Sequence, residues 1–206
     1  MLMEQAFYEL VRGWELFTYG DLQTAEDHAV LAVEAFARVS GPHDASTLDS
    51  LSLLGLVLLQ QSRIDVAENT LRAALAGRER AVGENHPDTL VSVGNLGFAL
   101  TRRGEYAQAE MLHRRALQGR KTRLGIESVE TLCSMGNLAY VLCSQGKFEE
   151  AAEMHRQEVE GYGRLFGNGD PRTLMGARNL AFVLACLRRR GTGEAGDEEL
   201  MAVMDC

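Results

Sequence analysis

Apolar residues in this chain recur at helical spacing. Between residues 86 and 125, Leu90, Val93, Leu96, Gly97 and Leu100 follow the three-and-four spacing of one amphipathic helix. Ala109, Leu112, Ala116 and Leu117 do the same for a second. The polar punctuation agrees. His86 stands at a cap position, and Pro87 follows where its missing N–H costs nothing. Gly104 can take the left-handed conformation that ends a helix. The pattern predicts a first helix from Pro87 to just before Gly104 and a second from about Glu105 to Arg123. Gly97 and Ala109 are small where two antiparallel helices joined by a short turn come closest.

This unit is repeated. The pairs Thr47-Leu48, Thr89-Leu90, Thr131-Leu132 and Thr173-Leu174 lie 42 residues apart. In the same register come Gly41, Gly83, Gly125 and Gly167, then Leu54, Leu96, Leu138 and Leu180, and then Leu58, Leu100, Leu142 and Leu184. Small residues recur at Gly13, Gly55, Gly97, Ala139 and Ala181, and again at Ala25, Ala67, Ala109 and Ala151. A turn series runs Gly20, Ser62, Gly104, Gly146, and the helix caps fall at Asp44, His86, Ser128 and Asp170. A fixed period of this length is the mark of a stacked array. Residues 1–190 are expected to form four full repeats and a half repeat, with an acidic tail over 191–206. Such an array offers a long curved surface, so binding is the expected function and catalysis is not.

Composition narrows the reading. A hydrophobic content of 46% with three prolines fits a folded, helix-rich chain. The net charge of −8 is concentrated in the tail, where Glu194, Asp197, Glu198, Glu199 and Asp205 meet no Lys or Arg. No basic face suits a nucleic acid. No leader-like segment opens the sequence, and no stretch approaches the roughly 20 apolar residues that cross a bilayer. The four cysteines (Cys133, Cys143, Cys186, Cys206) lack CxxC spacing and read as buried or incidental thiols in a reducing compartment. A cytoplasmic protein is expected. The five histidines are scattered, His113 and His155 one repeat apart, and imply no metal site. No nucleophile motif, HExxH or phosphate-cradling loop is present, so neither a catalytic residue nor a cofactor is expected. Gly161-Tyr162-Gly163 misses the dinucleotide fingerprint and is expected to weaken its helix locally.

Leu-Gly or Leu-Ala, a large apolar residue shortly after, and a small residue twelve positions on together resemble the tetratricopeptide repeat. The usual repeat is about 34 residues. The longer form here, with His-Pro-Asp-Thr-Leu, Gly-Asn-Leu and Gly-Glu-Tyr-Ala-Gln-Ala-Glu, resembles the kinesin-light-chain type over residues 4 to about 190. That resemblance implies an all-α, right-handed superhelix of stacked antiparallel helix pairs. It also implies a protein-binding module whose first helices hold an extended peptide on the concave face. HEAT and armadillo repeats share the period range but lack this register of paired small residues. Similar arrays occur as partner-sensing ends of large NTPase switch proteins, so no motor-cargo role follows.

The resemblance places candidate binding residues. The asparagine that bonds a bound peptide's backbone in the kinesin-light-chain type matches Asn95, Asn137 and Asn179. An amide both donates and accepts, so it pairs with an extended strand of any sequence. The same position is Leu53 and Val11 in the earlier repeats, which confines the clamp to the C-terminal half. The alternative is that these amides bond within the array. Three residues on come Trp14, Leu56, Phe98, Tyr140 and Phe182. They are anchors for a ligand's apolar groups or, for most of the row, packing between repeats, with Tyr140 the expected exception. Arg102 and Arg178 make the stripe locally basic and suit an acidic peptide.

The tail has three readings: a degenerate capping helix, with Met201 in the register of Leu75, Leu117 and Val159; a frayed end; or a tethered pseudo-ligand. Two rivals to the peptide groove remain, a sensor array of a larger switch system and a weakly self-associating spacer whose ends stack. An enzyme is the remote alternative.

Overall fold

The computed structural model describes residues 2–192, and the described residues form nine α-helices. They are α1 (Leu2–Tyr19), α2 (Leu22–Val39), α3 (Ala45–Gln60), α4 (Ile64–Val82), α5 (Pro87–Arg103), α6 (Tyr106–Leu124), α7 (Val129–Ser144), α8 (Phe148–Phe166) and α9 (Pro171–Thr192). Odd-numbered helices are the first helices of the repeats and even-numbered ones the second. Two compact units hold them, α1–α5 in one and α6–α9 in the other. Within each unit consecutive helices pack on one another, and in the first unit α1 touches α3 and α3 touches α5. The fold is an all-α array of helical repeats, as expected. The helix from Pro87 ends at Arg103, one residue before Gly104, whose φ of 83° is left-handed.

Each periodic mark has a physical cause. The threonine hydroxyls of Thr47, Thr89, Thr131 and Thr173 donate to the carbonyls of Gly41, Gly83, Gly125 and Gly167 at 2.8, 2.7, 2.8 and 3.0 Å. That bond locks the loop before each first helix. All four cap positions cap. Asp44, His86, Ser128 and Asp170 each accept a backbone N–H from the first turn that follows. Ser62 stands where the other turns use glycine and keeps the left-handed φ of 62°.

The glycines inside helices act by close approach. A methyl at Gly55 would meet Leu71 Cγ at 2.6 Å, and one at Gly13 would meet Leu53 Cδ2 at 2.8 Å. Gly161 belongs to the same class. Leu132 of α7 sits directly over it, as Leu48 of α3 sits over Gly77 of α4. α8 runs unbroken from Phe148 to Phe166, and the missing side chain at Gly161 is the seat for a neighbouring leucine.

A second periodic device ties neighbouring repeats together. Glu26 accepts from Gln61 and Arg63, Glu68 from Arg72 and Arg103, and Glu110 from Arg114 and Lys147. Burial opposes ionisation of Glu110, yet hydrogen bonds from Lys147, Arg114 and Gln145 outweigh it and hold the carboxyl at about 2. α9 runs to Thr192, two residues into the segment assigned to the tail, because Arg188 replaces the turn glycine. The capping, frayed and pseudo-ligand readings concern residues that lie outside those described.

Candidate functional site

The first helices place the predicted site residues as follows. On α5, Val91, Asn95, Phe98 and Arg102 fall at i, i+4, i+7 and i+11, one stripe of a helix. Val91, Phe98 and Arg102 are exposed and Asn95 is half-buried. On α7 the corresponding stripe is Cys133, Asn137 and Tyr140, with Asn137 exposed and Tyr140 half-buried. On α9 it is Met175, Asn179 and Phe182, with Met175 and the adjacent Arg178 exposed and the other two half-buried. In the earlier repeats the asparagine position differs in kind: Leu53 is fully buried and Val11 is exposed.

The row expected mostly to pack between repeats splits. Phe182 packs against the core formed by Leu138, Leu142, Phe148 and Val183. Phe98 keeps 41% of its surface exposed and Trp14 37%, so neither is consumed by packing.

Among the described residues, the amides of Asn95, Asn137 and Asn179 hydrogen-bond no side chain or backbone group. Arg102 and Arg178 likewise make no ion pair or hydrogen bond with a described residue. Most other arginines in the described helices are engaged, for example Arg63 with Glu26 and Arg164 with Glu127. Three amides and two cations on the first helices are thus left with their hydrogen-bonding capacity unused.

Between first helices the structure shows residues that the sequence reading passed over. Arg78 of α4 is buried, and its guanidinium donates to Ser92 Oγ at 2.6 Å, to Ser52 Oγ and the Asp88 carbonyl at 3.3 Å, and to Asp49. One repeat on, Arg120 donates to Ser134 Oγ at 2.6 Å, and burial lowers its pKa from the ordinary arginine value. One further repeat on, Tyr162 stands at that position. Its hydroxyl is pushed up to about 12 by burial, reinforced by the nearby Glu158 charge. The signal lay in the sequence as Gly77-Arg78, Gly119-Arg120 and Gly161-Tyr162 against the serines Ser50, Ser92 and Ser134.

α8 carries a further exception. His155 is fully buried, and its Nδ1 lies 2.7 Å from Glu158 Oε2. The described residues contain no cluster of three or more metal-ligating side chains, and no helix among them is long and apolar enough to cross a membrane. A shallow pocket lined by Arg114, Leu142, Glu149, Glu150, Glu153 and Met154 does not include the asparagine stripe.

Comparison with known proteins agrees with this architecture. Residues 17–80 and 67–122 match one tetratricopeptide repeat profile and residues 131–172 match another. A search of curated protein sequences finds no match. Among solved structures, the chain is similar to the nearly identical TPR-like repeats assigned to a kinesin light chain of Podosopora anserina. There the TM-score is 0.77 and the identity 20%, covering 95% of this chain and 90% of that one. It is also similar to BtubC (BKLC) from P. vanneervenii, with TM-score 0.64 and 16% identity over 100% of this chain and 92% of the other. A Rap protein complexed with Competence and Sporulation Factor gives TM-score 0.69 and 15% identity, over 97% of this chain and 61% of its own. At these identities the likeness is one of fold.

Proposed function

The chain belongs to the tetratricopeptide repeat family, whose fold generally mediates protein–protein interaction, and we propose that it holds an extended segment of a protein partner along its first helices. The observation that carries this reading is the set of unused amides. Asn95 in one unit, and Asn137 and Asn179 in the other, find no partner among the described residues, so each can pair with a backbone amide of a ligand. Phe98 offers an exposed ring beside Asn95, and Tyr140 a half-buried one beside Asn137. Arg102 and Arg178 suit acidic residues of the same partner. That a fold neighbour is complexed with Competence and Sporulation Factor is consistent with ligand binding on this scaffold.

The test is an unbiased peptide-display selection on the full chain, counter-screened with Asn137→Ala. Peptides that bind the parent and fail on the variant support the clamp. Selected peptides indifferent to Asn137, Asn179 and Asn95 would remove it.

A second reading, self-association, rests on one contrast. Leu48, Leu90 and Leu132 are all but fully buried, whereas Leu174 in the same register is 55% exposed. Light scattering on size-exclusion fractions, with Leu174→Ser as the control, separates it: a mass that exceeds one chain and falls in the variant would support it.

A further inference from the structure

Second-helix positions 32, 74 and 116 are buried alanines, and position 158 in the same register is a glutamate only 6% exposed. A buried carboxylate is costly unless it is paired and hydrogen-bonded. The neighbouring helices make room for it. A methyl at Gly136 of α7 would stand 2.5 Å from Glu158 Oε1, and one at Gly176 of α9 would stand 3.5 Å from Oε2. Gly176 replaces the serine found at Ser50, Ser92 and Ser134. The carboxylate therefore lies in a glycine-lined notch between two consecutive first helices.

Its partners are too few. Oε2 faces His155 Nδ1 at 2.7 Å, while Oε1 accepts no hydrogen bond from the described residues. The Glu158 side chain keeps 8% of its surface exposed. Arg78, which spans the matching positions of α3 and α5, meets four internal acceptors. The carboxylate lies near the head of the row Cys133, Asn137, Tyr140: the Cys133 thiol is raised by burial and, opposed by Arg120, also by the Glu158 charge.

We propose that Glu158 is the receptor for a basic side chain, lysine or arginine, of the segment held along α7 and α9. This rests on the peptide-binding reading above and adds a chemical requirement to it. An ammonium or guanidinium entering between Gly136 and Gly176 supplies the donors that Oε1 lacks and neutralises a charge the fold otherwise buries with a histidine alone. The same ligand then carries a cation for Glu158 and an acidic residue for Arg178.

The test is a hexapeptide library, randomised one position at a time, selected on the full chain, on Glu158→Gln and Glu158→Ala, and on Asn137→Ala. Alanine is the residue already buried at positions 32, 74 and 116, and circular dichroism melts confirm that each variant is folded. The expected result is a fixed position enriched at least about tenfold in Lys or Arg on the parent chain, with that enrichment lost in both Glu158 variants. Asn137→Ala should weaken all peptides while keeping the basic preference among those that remain. Peptides that depend on Asn137 but show no basic position, or one that survives Glu158→Gln, overturn this inference and leave the clamp standing. If the parent selects no peptide above background, both readings fall.

Discussion

The α3–α5 junction in the first unit and the α7–α9 junction in the second occupy the same register and are closed in opposite ways. In the first, Arg78 reaches from α4 to Ser52, Ser92, Asp88 and Asp49 and is held by all four. In the second, Tyr162 takes the arginine's place and Glu158, one turn earlier on α8, fills the space with one partner and one free oxygen. One junction is a finished internal network; the other holds a charge with unused capacity. Stacking needs only that consecutive first helices be joined, and it leaves the chemistry of the joint free to vary. A joint that is not internally satisfied is where a ligand can contribute most.

This contrast can be broken most forcefully at Arg78. Arg78→Ala strips donors from two serines, a carbonyl and Asp49, and should cost about 3 kcal/mol, lowering the melting temperature by about 6–12 °C. A loss below about 1 kcal/mol would mean that the α3–α5 network is incidental. Next come the leucine seats, which the two units share. Gly77→Ala and Gly161→Ala each push a methyl into Leu48 or Leu132. Overpacking of about 1–3 kcal/mol, less about 1 kcal/mol of helix propensity, leaves a net cost of about 0–2 kcal/mol in denaturant titrations. Stabilisation by either would show the seat to be loose.

Glu110 sharpens the comparison through pH. Its folded pKa of about 2 lies below the ordinary carboxylate value, so its contribution is present above about pH 4.5 and is lost as pH falls towards 2. Allowing for the solvent exposure of Lys147 and Arg114, the effect is about 1 kcal/mol. Glu110→Gln should flatten the acid side of the stability profile by that amount, and an unchanged slope would count against the Glu110 bonds to Lys147 and Arg114 as a stabilising tie. The smallest effect is expected where the second unit departs from the pattern. His155→Leu with Glu158→Ala restores the Leu71–Ala74 pair of α4 and should leave stability unchanged or raise it by up to about 1 kcal/mol. A large loss would mean that Glu158 serves stability.

Much of this fold was legible because repetition multiplies weak signals. One Thr-Leu pair says little, but four in register, with a glycine six residues before each, mark the loop lock that the threonine hydroxyls form. Caps at Asp44, His86, Ser128 and Asp170 were readable because capping is local chemistry. Phe98 and Tyr140 could be placed on a face, but whether the ring was exposed or packed depends on how closely neighbouring helices approach, which no spacing specifies. Gly161 was readable as a helix-interior glycine, but its role as the seat of Leu132 depends on a contact that no spacing specifies. Arg78 and Glu158 escaped for a related reason. A charged residue on an amphipathic helix reads as solvated, and its burial depends on serines and glycines of the helices before and after it.

The account turns on whether the free amides are used. The most direct measurement is titration calorimetry of a peptide selected on the parent chain, against the parent and Asn137→Ala, with melting curves for both. Losing a donor and an acceptor to a ligand's backbone costs about 1–3 kcal/mol, so affinity should fall about five- to 150-fold while the melting temperature stays put. Equal affinity for the two proteins would contradict the assignment of the first-helix asparagines as the ligand clamp.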